Sequence, residues 1–192
     1  MHVALVSAGG GGQRIIAMPG FVECLCESAV ILADGTFLPV PAGLQAYQLL
    51  TLHTVSMGQH YHHVVALMEN RRQHLYRAVL QKVWELAGNL QPETVVSDYE
   101  PALQGALWEV TDAPLQGCYC HFLQALVKRA RQKHVPMRLV RLYAMLATIH
   151  ITSRHCCRRS ARMYLEVPVN DAYHPYFRDY WMDRIRPETF SV

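Results

Sequence analysis

Two short stretches place a carboxylate among apolar residues. Val30-Ile-Leu-Ala-Asp-Gly-Thr-Phe-Leu-Pro39 runs into Asp34 and resumes its apolar pattern after Gly35, so Asp34 is expected on a buried strand rather than in a polar loop. Burying an unpaired charge costs several kcal/mol, roughly, so such a residue is paired, protonated or bound to a cation. Glu93 to Glu100 repeats the design, with Thr94-Val95-Val96-Ser97 delivering Asp98 at the end of a β-rich run. Two strand-borne aspartates invite a shared divalent metal, the arrangement with which phosphoryl transfer activates a hydroxyl and stabilises a leaving oxygen. Asp34-Gly35 between hydrophobic runs is also the signature of a tight hairpin turn, and from these residues alone both readings stand.

Three further clusters carry chemistry-capable side chains. Cys118 and His121 form a Cys-x-x-His that could supply two zinc ligands, but a structural zinc site needs four. Cys120, His155, Cys156 and Cys157 would complete one only if helices brought them together; zinc is therefore not expected, and the pair reads as a thiol beside a hydrogen-bonded histidine. His60, His62 and His63 also look like a metal tract. On a strand the first two share a face that the third does not, and with no acid or cysteine close in sequence they read as surface or sheet-edge residues. Gly9 to Gly12 lacks the Gly-Lys-Ser/Thr of a phosphate loop, so residues 1–20 are expected to be a flexible leader.

The order of motifs resembles the transposase domain of Mutator-like elements, in the ribonuclease H-like DDE superfamily. The residues that carry the resemblance are Asp34-Gly35-Thr36-Phe37, Gln48-Leu-Leu-Thr-Leu-His53, Val64-Val-Ala-Leu-Met68, Asp98-Tyr99-Glu100-Pro101-Ala102 and Gly117-Cys-Tyr-Cys-His-Phe122. The resemblance implies that Asp34 and Asp98 are catalytic and metal-binding, that the metal is Mg²⁺ or Mn²⁺, and that the reaction is cleavage and transfer of DNA strands in the nucleus. It places Cys118 and His121 in the family's Cys-x-x-His between the second and third acids. The third acid, a glutamate after paired asparagines, has no counterpart among Glu166, Asp171, Asp179, Asp183 and Glu188. The chain is expected to stop before that motif, leaving either an incomplete transposase core or a catalytically inactive DNA- or protein-binding module.

These residues need a scaffold, and the pattern supplies one. Residues 30–37, 47–55 and 61–68 read as an antiparallel meander. Leu75, Tyr76, Val79, Leu80, Val83 and Trp84 then mark one face of a helix ending near Gly88. A crossover of that length sets the Val95 strand parallel to the first and Asp98 beside Asp34. A helix from Pro101 to Val110, a short strand over 115–118 and helices over 122–133 and 137–151 follow. Residues 160–186 read as helical with breaks at Pro168 and Pro175. The expected architecture is α/β, a ribonuclease H-like mixed sheet flanked by helices, with the core at 21–134 and a helical appendage at 135–192.

Composition agrees with a folded interior: 51% of the 192 residues are hydrophobic and 17% charged. No apolar run has the length of a membrane span and no secretory signal is evident, so a soluble intracellular protein with reduced cysteines is expected. The net charge of +3 conceals an asymmetry, because residues 113–165 hold ten lysines and arginines and no acid. Such a segment is an electrostatic footprint for a polyanion. Lys128, Arg129, Arg131 and Lys133 are the expected nucleic-acid contacts, DNA the expected partner, and a homo-oligomer is compatible with the sequence.

Overall fold

Apolar and β-branched residues flank the four glycines near the N-terminus, and in the computed structural model the two flanks pair. β1 (His2–Ala8) and β2 (Gly11–Ala17) form an antiparallel hairpin, in register from His2↔Ala17 to Ala8↔Gly11. Within the flexible leader expected over 1–20, residues 2–8 and 11–17 are therefore strand. A lone hairpin is marginal in water, but β2 continues onto a third strand, β5, through Arg14↔Leu67 to Ala17↔Val64, which buries Ile15 and Ala17. The structure describes residues 2–8, 11–17, 19–36, 46–88, 90–152, 173–186 and 190–191. Phe37 to Pro39, the 153–172 segment with Arg154, His155, Cys156, Cys157, Arg158, Arg159 and Arg162, and Glu188 lie outside them.

By their contacts the residues divide into two units, Met1–Gln116 and Gly117–Val192; the boundary drawn from the sequence falls later, after 134. In the first unit, α1 (Pro19–Cys26) turns Val22 and Leu25 inward. β3 (Val30–Thr36), β4 (Gln48–Ser56) and β5 (Gln59–Met68) form the expected antiparallel meander. The β4–β5 turn is Met57-Gly58, with φ of 50° and 74°, the left-handed pair that two-residue hairpins require and that Gly58 supplies without strain.

α2 (Gln73–Leu86) follows, with the six expected apolar residues buried, and the chain returns as β6 (Thr94–Ser97), parallel to β3 from Val30↔Thr94 to Ala33↔Ser97. α3 (Pro101–Val110) starts on a proline at its first position, where no amide hydrogen is needed. The six strands of this unit run β1-β2-β5-β4-β3-β6, every pairing antiparallel except β3 with β6. One sheet face, with Ile31, Ala33, Leu50, Leu52, Val64, Ala66 and Val95, packs on α1, α2 and α3 through Leu25, Tyr76, Leu80, Leu103 and Leu107. Each such side chain, fully buried, contributes about 1.5–3 kcal/mol, and together they fix β6 beside β3.

β7 (Leu115–Cys118) spans the division between the units. In the second unit are α4 (Tyr119–Gln132), α5 (Met137–Thr152), a π-helix over Tyr176–Ile185 and β8 (Phe190–Ser191), which pairs in parallel with the end of β7. Its core is aromatic. Phe122 meets Trp181 edge-on with centroids 4.8 Å apart, Tyr143 packs on Phe177 at 4.7 Å, and Tyr173 donates its buried hydroxyl to the Leu126 carbonyl at 3.0 Å. The helix expected from 160 onward is thus described only from its second proline, as a π-helix rather than an α-helix. Among the described residues no helix is long and apolar enough to cross a membrane.

Candidate functional site

Asp34 lies inside β3, paired with Thr51 of β4, and Gly35 pairs with Leu50. That pairing removes the hairpin-turn reading of Asp34-Gly35. Alternation along β3 puts Asp34 with Leu32 and Thr36 on the face opposite the helices, while Ile31, Ala33 and Gly35 face the core. The Thr36 hydroxyl donates to Asp34 Oδ2 at 2.8 Å, and the Thr51 hydroxyl donates to the Asp34 carbonyl at 3.3 Å. The Asp-Gly-Thr motif therefore carries its own orienting group two residues on.

Asp98 is the first residue after β6. Because Ala33 pairs with Ser97, Asp98 occupies the next register position, alongside Asp34. Its Oδ1 accepts the Glu100 backbone N–H at 3.0 Å, and its carbonyl accepts Gln104 Nε2 at 3.0 Å. These bonds turn the chain sharply from strand into α3, which explains the Asp-x-Glu-Pro spacing. A Cβ on Gly35 would stand 3.5 Å from Asp98 Oδ2 and 3.8 Å from the Tyr76 hydroxyl; glycine leaves that flank of Asp98 open.

A second layer supports this corner; of its members, the sequence marks Tyr76 as a core position of α2 and Gln48 and Glu100 as parts of family motifs. Tyr76, on α2, accepts a short hydrogen bond from buried Gln48 Nε2. Burial, reinforced by the Glu100 and Asp98 charges, pushes the Tyr76 phenol up to about 12. Glu100 is directed to Arg71, with 3.6 Å between charged atoms, and the Arg71 guanidinium lies 5.7 Å from the Tyr47 ring centre. Tyr76 shows only as a core position in a helical pattern, and nothing local to it announces the contact with the Asp98 corner.

His53 stands on the Asp34 face, paired with Leu32. It is 7% exposed, its buried Nδ1 has no hydrogen-bond partner among the described residues, and its ring lies 5.0 Å from His62 and 5.2 Å from His60. Burial, then His62 and His60, lower its pKa to about 4 against the opposing pull of Asp34. A bulge between Leu52 and His53 shifts the register here. His63 consequently turns into the sheet and bonds Thr54 at 2.7 Å; it is buried, not a surface residue as expected, while His60 and His62 are exposed.

Carboxylates are the donors a hard divalent cation takes, and Asp34 on β3 and Asp98 just after β6 are two of them, with an open flank beside Asp98 Oδ2. It is a partial set. Among the described residues no group of three or more histidines, cysteines, aspartates or glutamates is arranged to hold a metal. Asp179 and Asp183 are exposed on the π-helix of the second unit.

In that second unit, Cys118 is the N-cap of α4 and His121 lies in its first turn. The His121 side chain, hydrogen-bonded to Cys118, holds that thiol below its ordinary pKa, with help from nearby backbone N–H groups. Further along α4, Lys128, Arg131 and Lys133 are exposed, but Arg129 is not part of that surface: its guanidinium sits 5.3 Å from the Tyr176 ring centre and its Nε is buried. The outer side of α4 forms a concavity of about 690 Å³ lined by Leu123, Gln124, Val127, Lys128, Arg131 and Gln132. Leu123 and Val127 are half-buried there.

The sequence pattern described as the MULE transposase domain matches residues 30–125, half of the chain. The chain belongs to the MULE transposase domain family. The match begins at β3 and ends in the first half of α4, so it contains Asp34, Asp98, Cys118 and His121 and stops short of the basic residues. No curated protein matches the chain. Membership gives the protein a transposase-type function and makes DNA interaction the expectation for it.

Proposed function

We propose that this MULE transposase domain is a metal-dependent DNA strand cleavage and transfer core in which Asp34 and Asp98 hold Mg²⁺ or Mn²⁺. The observation that supports it most is the parallel pairing of β3 with β6, which sets both motif aspartates at adjoining positions. The strand order β5-β4-β3-β6, with the crossover through α2, agrees with a ribonuclease H-like arrangement. Bound there, a divalent cation supplies activation of an attacking hydroxyl and stabilisation of a leaving oxygen. The chain's own part is positioning: Thr36 orients the Asp34 carboxylate, the Glu100 amide orients that of Asp98, and the core beneath β3 and β6 holds the two strands in register. The exposed lysines and arginine of α4 would engage the phosphate backbone of nuclear DNA.

A second reading, a DNA-binding module without catalysis, is favoured by a donor set that holds two carboxylates among the described residues. Incubation of the purified chain with supercoiled plasmid and Mg²⁺ or Mn²⁺ separates them. Nicking that disappears in both Asp34→Asn and Asp98→Asn supports the enzyme. Retention of DNA without nicking, equal in wild type and both variants, supports the binding module, and absence of both nicking and binding refutes the proposal.

A further inference from the structure

The carboxyl ends of three strands gather at one end of the sheet. β3 and β6 are parallel, and β5 runs the same way as β3 because both are antiparallel to β4. The register sets Thr36 against Leu49 and Met68 against Gln48, so Asp34, Asp98 and the connection over 69–72 from β5 to α2 share that end. Arg71 belongs to this connection. Its guanidinium stands 3.6 Å from Glu100 Oε2 and 5.7 Å from the Tyr47 ring centre, and Tyr47 is itself held to the end of β5 by donating its backbone N–H to the Met68 carbonyl at 2.7 Å. Resting on the reading of the Asp34–Asp98 corner as the place where a DNA strand is cut, we propose that Arg71 holds that strand, gripping a backbone phosphate beside the two aspartates.

Asp34, Asp98 and Glu100 make this end of the sheet acidic, and a phosphodiester brings a further negative charge, so cations have to face it. Arg71 is a cation fixed there. Its planar fork presents parallel N–H donors to phosphate oxygens, and the face of Tyr47 sets the plane of that fork. The contact with Glu100 is a tether rather than a closed ion pair. Its 3.6 Å lies beyond the roughly 2.7–2.9 Å of a charge-assisted hydrogen bond, and with the two side chains 43% and 25% exposed it adds little stability; an arriving phosphate can take its place. What the tether supplies is aim. The Glu100 N–H donates to Asp98 Oδ1 at 3.0 Å, so the residue that steers Arg71 also orients Asp98. The Tyr76 hydroxyl feels the charges of Glu100, Asp98 and Arg71 together, which sets all three around one point.

The test is binding of the full chain to a short fluorescent DNA duplex, by anisotropy over a range of salt concentrations, in EDTA so that the result does not depend on a metal. Arg71→Gln should bind about tenfold more weakly at low salt, with a slope of log K against log[salt] shallower by about 0.9, the loss of one phosphate contact. Arg71→Lys should restore the slope and part of the affinity. Glu100→Gln, which removes the competing carboxylate, should bind about two- to fivefold more tightly than wild type, a gain that shrinks when Arg71→Gln is added. The urea midpoint of Arg71→Gln should match that of wild type, which a merely structural role would lower. Should Arg71→Gln fail to fold, Glu100→Gln decides, and no tightening overturns the proposal. Wild-type affinity and slope in Arg71→Gln would overturn it while leaving the DNA reading in place, whereas no duplex binding by the wild type would overturn both.

Discussion

Acidification should destabilise this protein through His53, by an amount the structure sets. Its pKa is lowered from 6.5 to about 4 by burial, with His62, His60 and His63 adding to the effect and Asp34 opposing it. The unfolded chain therefore takes up a proton near pH 6.5 that the folded chain refuses until about pH 4. Stability is full above 6.5 and is lost as pH falls through that window. At about 1.4 kcal/mol for each tenfold change in proton affinity, the loss comes to about 3 kcal/mol. The assay is urea unfolding at pH 7, 6, 5 and 4 in metal-free buffer, comparing wild type with His53→Gln. Other titrating groups act on both proteins, so wild type should lose about 3 kcal/mol more than the variant, almost all of it between pH 6.5 and 4. Parallel stability profiles for the two proteins would refute the reasoning, as would a His53 imidazole that titrates above pH 6 by NMR.

Three other perturbations have defined outcomes. Tyr76→Phe removes the oxygen that accepts from the buried Gln48 amide, leaving that amide only the weak Met68 sulfur as acceptor, and should cost about 1–3 kcal/mol in chemical denaturation; an unchanged midpoint would mean that Gln48 finds another partner. Replacing Lys128, Arg131 and Lys133 by alanine should make the slope of log K against log[salt] for duplex DNA shallower by about 2 to 3, because three phosphate contacts are lost. Arg129→Ala should leave that slope alone and lose about 0.5–1 kcal/mol of stability from its contact with Tyr176; the reverse pattern would put Arg129 on the DNA surface. Chelation of zinc should leave thermal stability unchanged, whereas stoichiometric zinc and unfolding on chelation would show a structural site.

The strands carrying Asp34 and Asp98 were legible because each is a run of apolar and β-branched residues broken by one acid, and α2 and α3 because their apolar spacing is helical. What Asp34-Gly35 does was not legible, since the same dipeptide serves a turn or a strand. Only the pairings to Thr51 and Leu50 decide it. The β1–β2 hairpin left a signal that could have been read, apolar runs on both sides of the glycines, but a glycine run suits a linker equally well. The burial of His63 depends on a bulge between Leu52 and His53, and a one-residue slip in register leaves no mark in local sequence. Arg129 is diverted by Tyr176, forty-seven positions away and reached only through tertiary packing; the charge count treats it like its neighbours. The supporting contacts of Tyr76, Gln48 and Arg71 come from different elements, so no motif could have joined them.

Mn²⁺ titration, followed by electron paramagnetic resonance of the free ion, tests the assignment of Asp34 and Asp98 most directly. The wild-type chain should show weak binding that is lost in Asp34→Asn and equally in Asp98→Asn, with circular dichroism unchanged in both. Mn²⁺ bound as well by either variant as by the wild type, or no binding by the wild type at millimolar Mn²⁺, would contradict it.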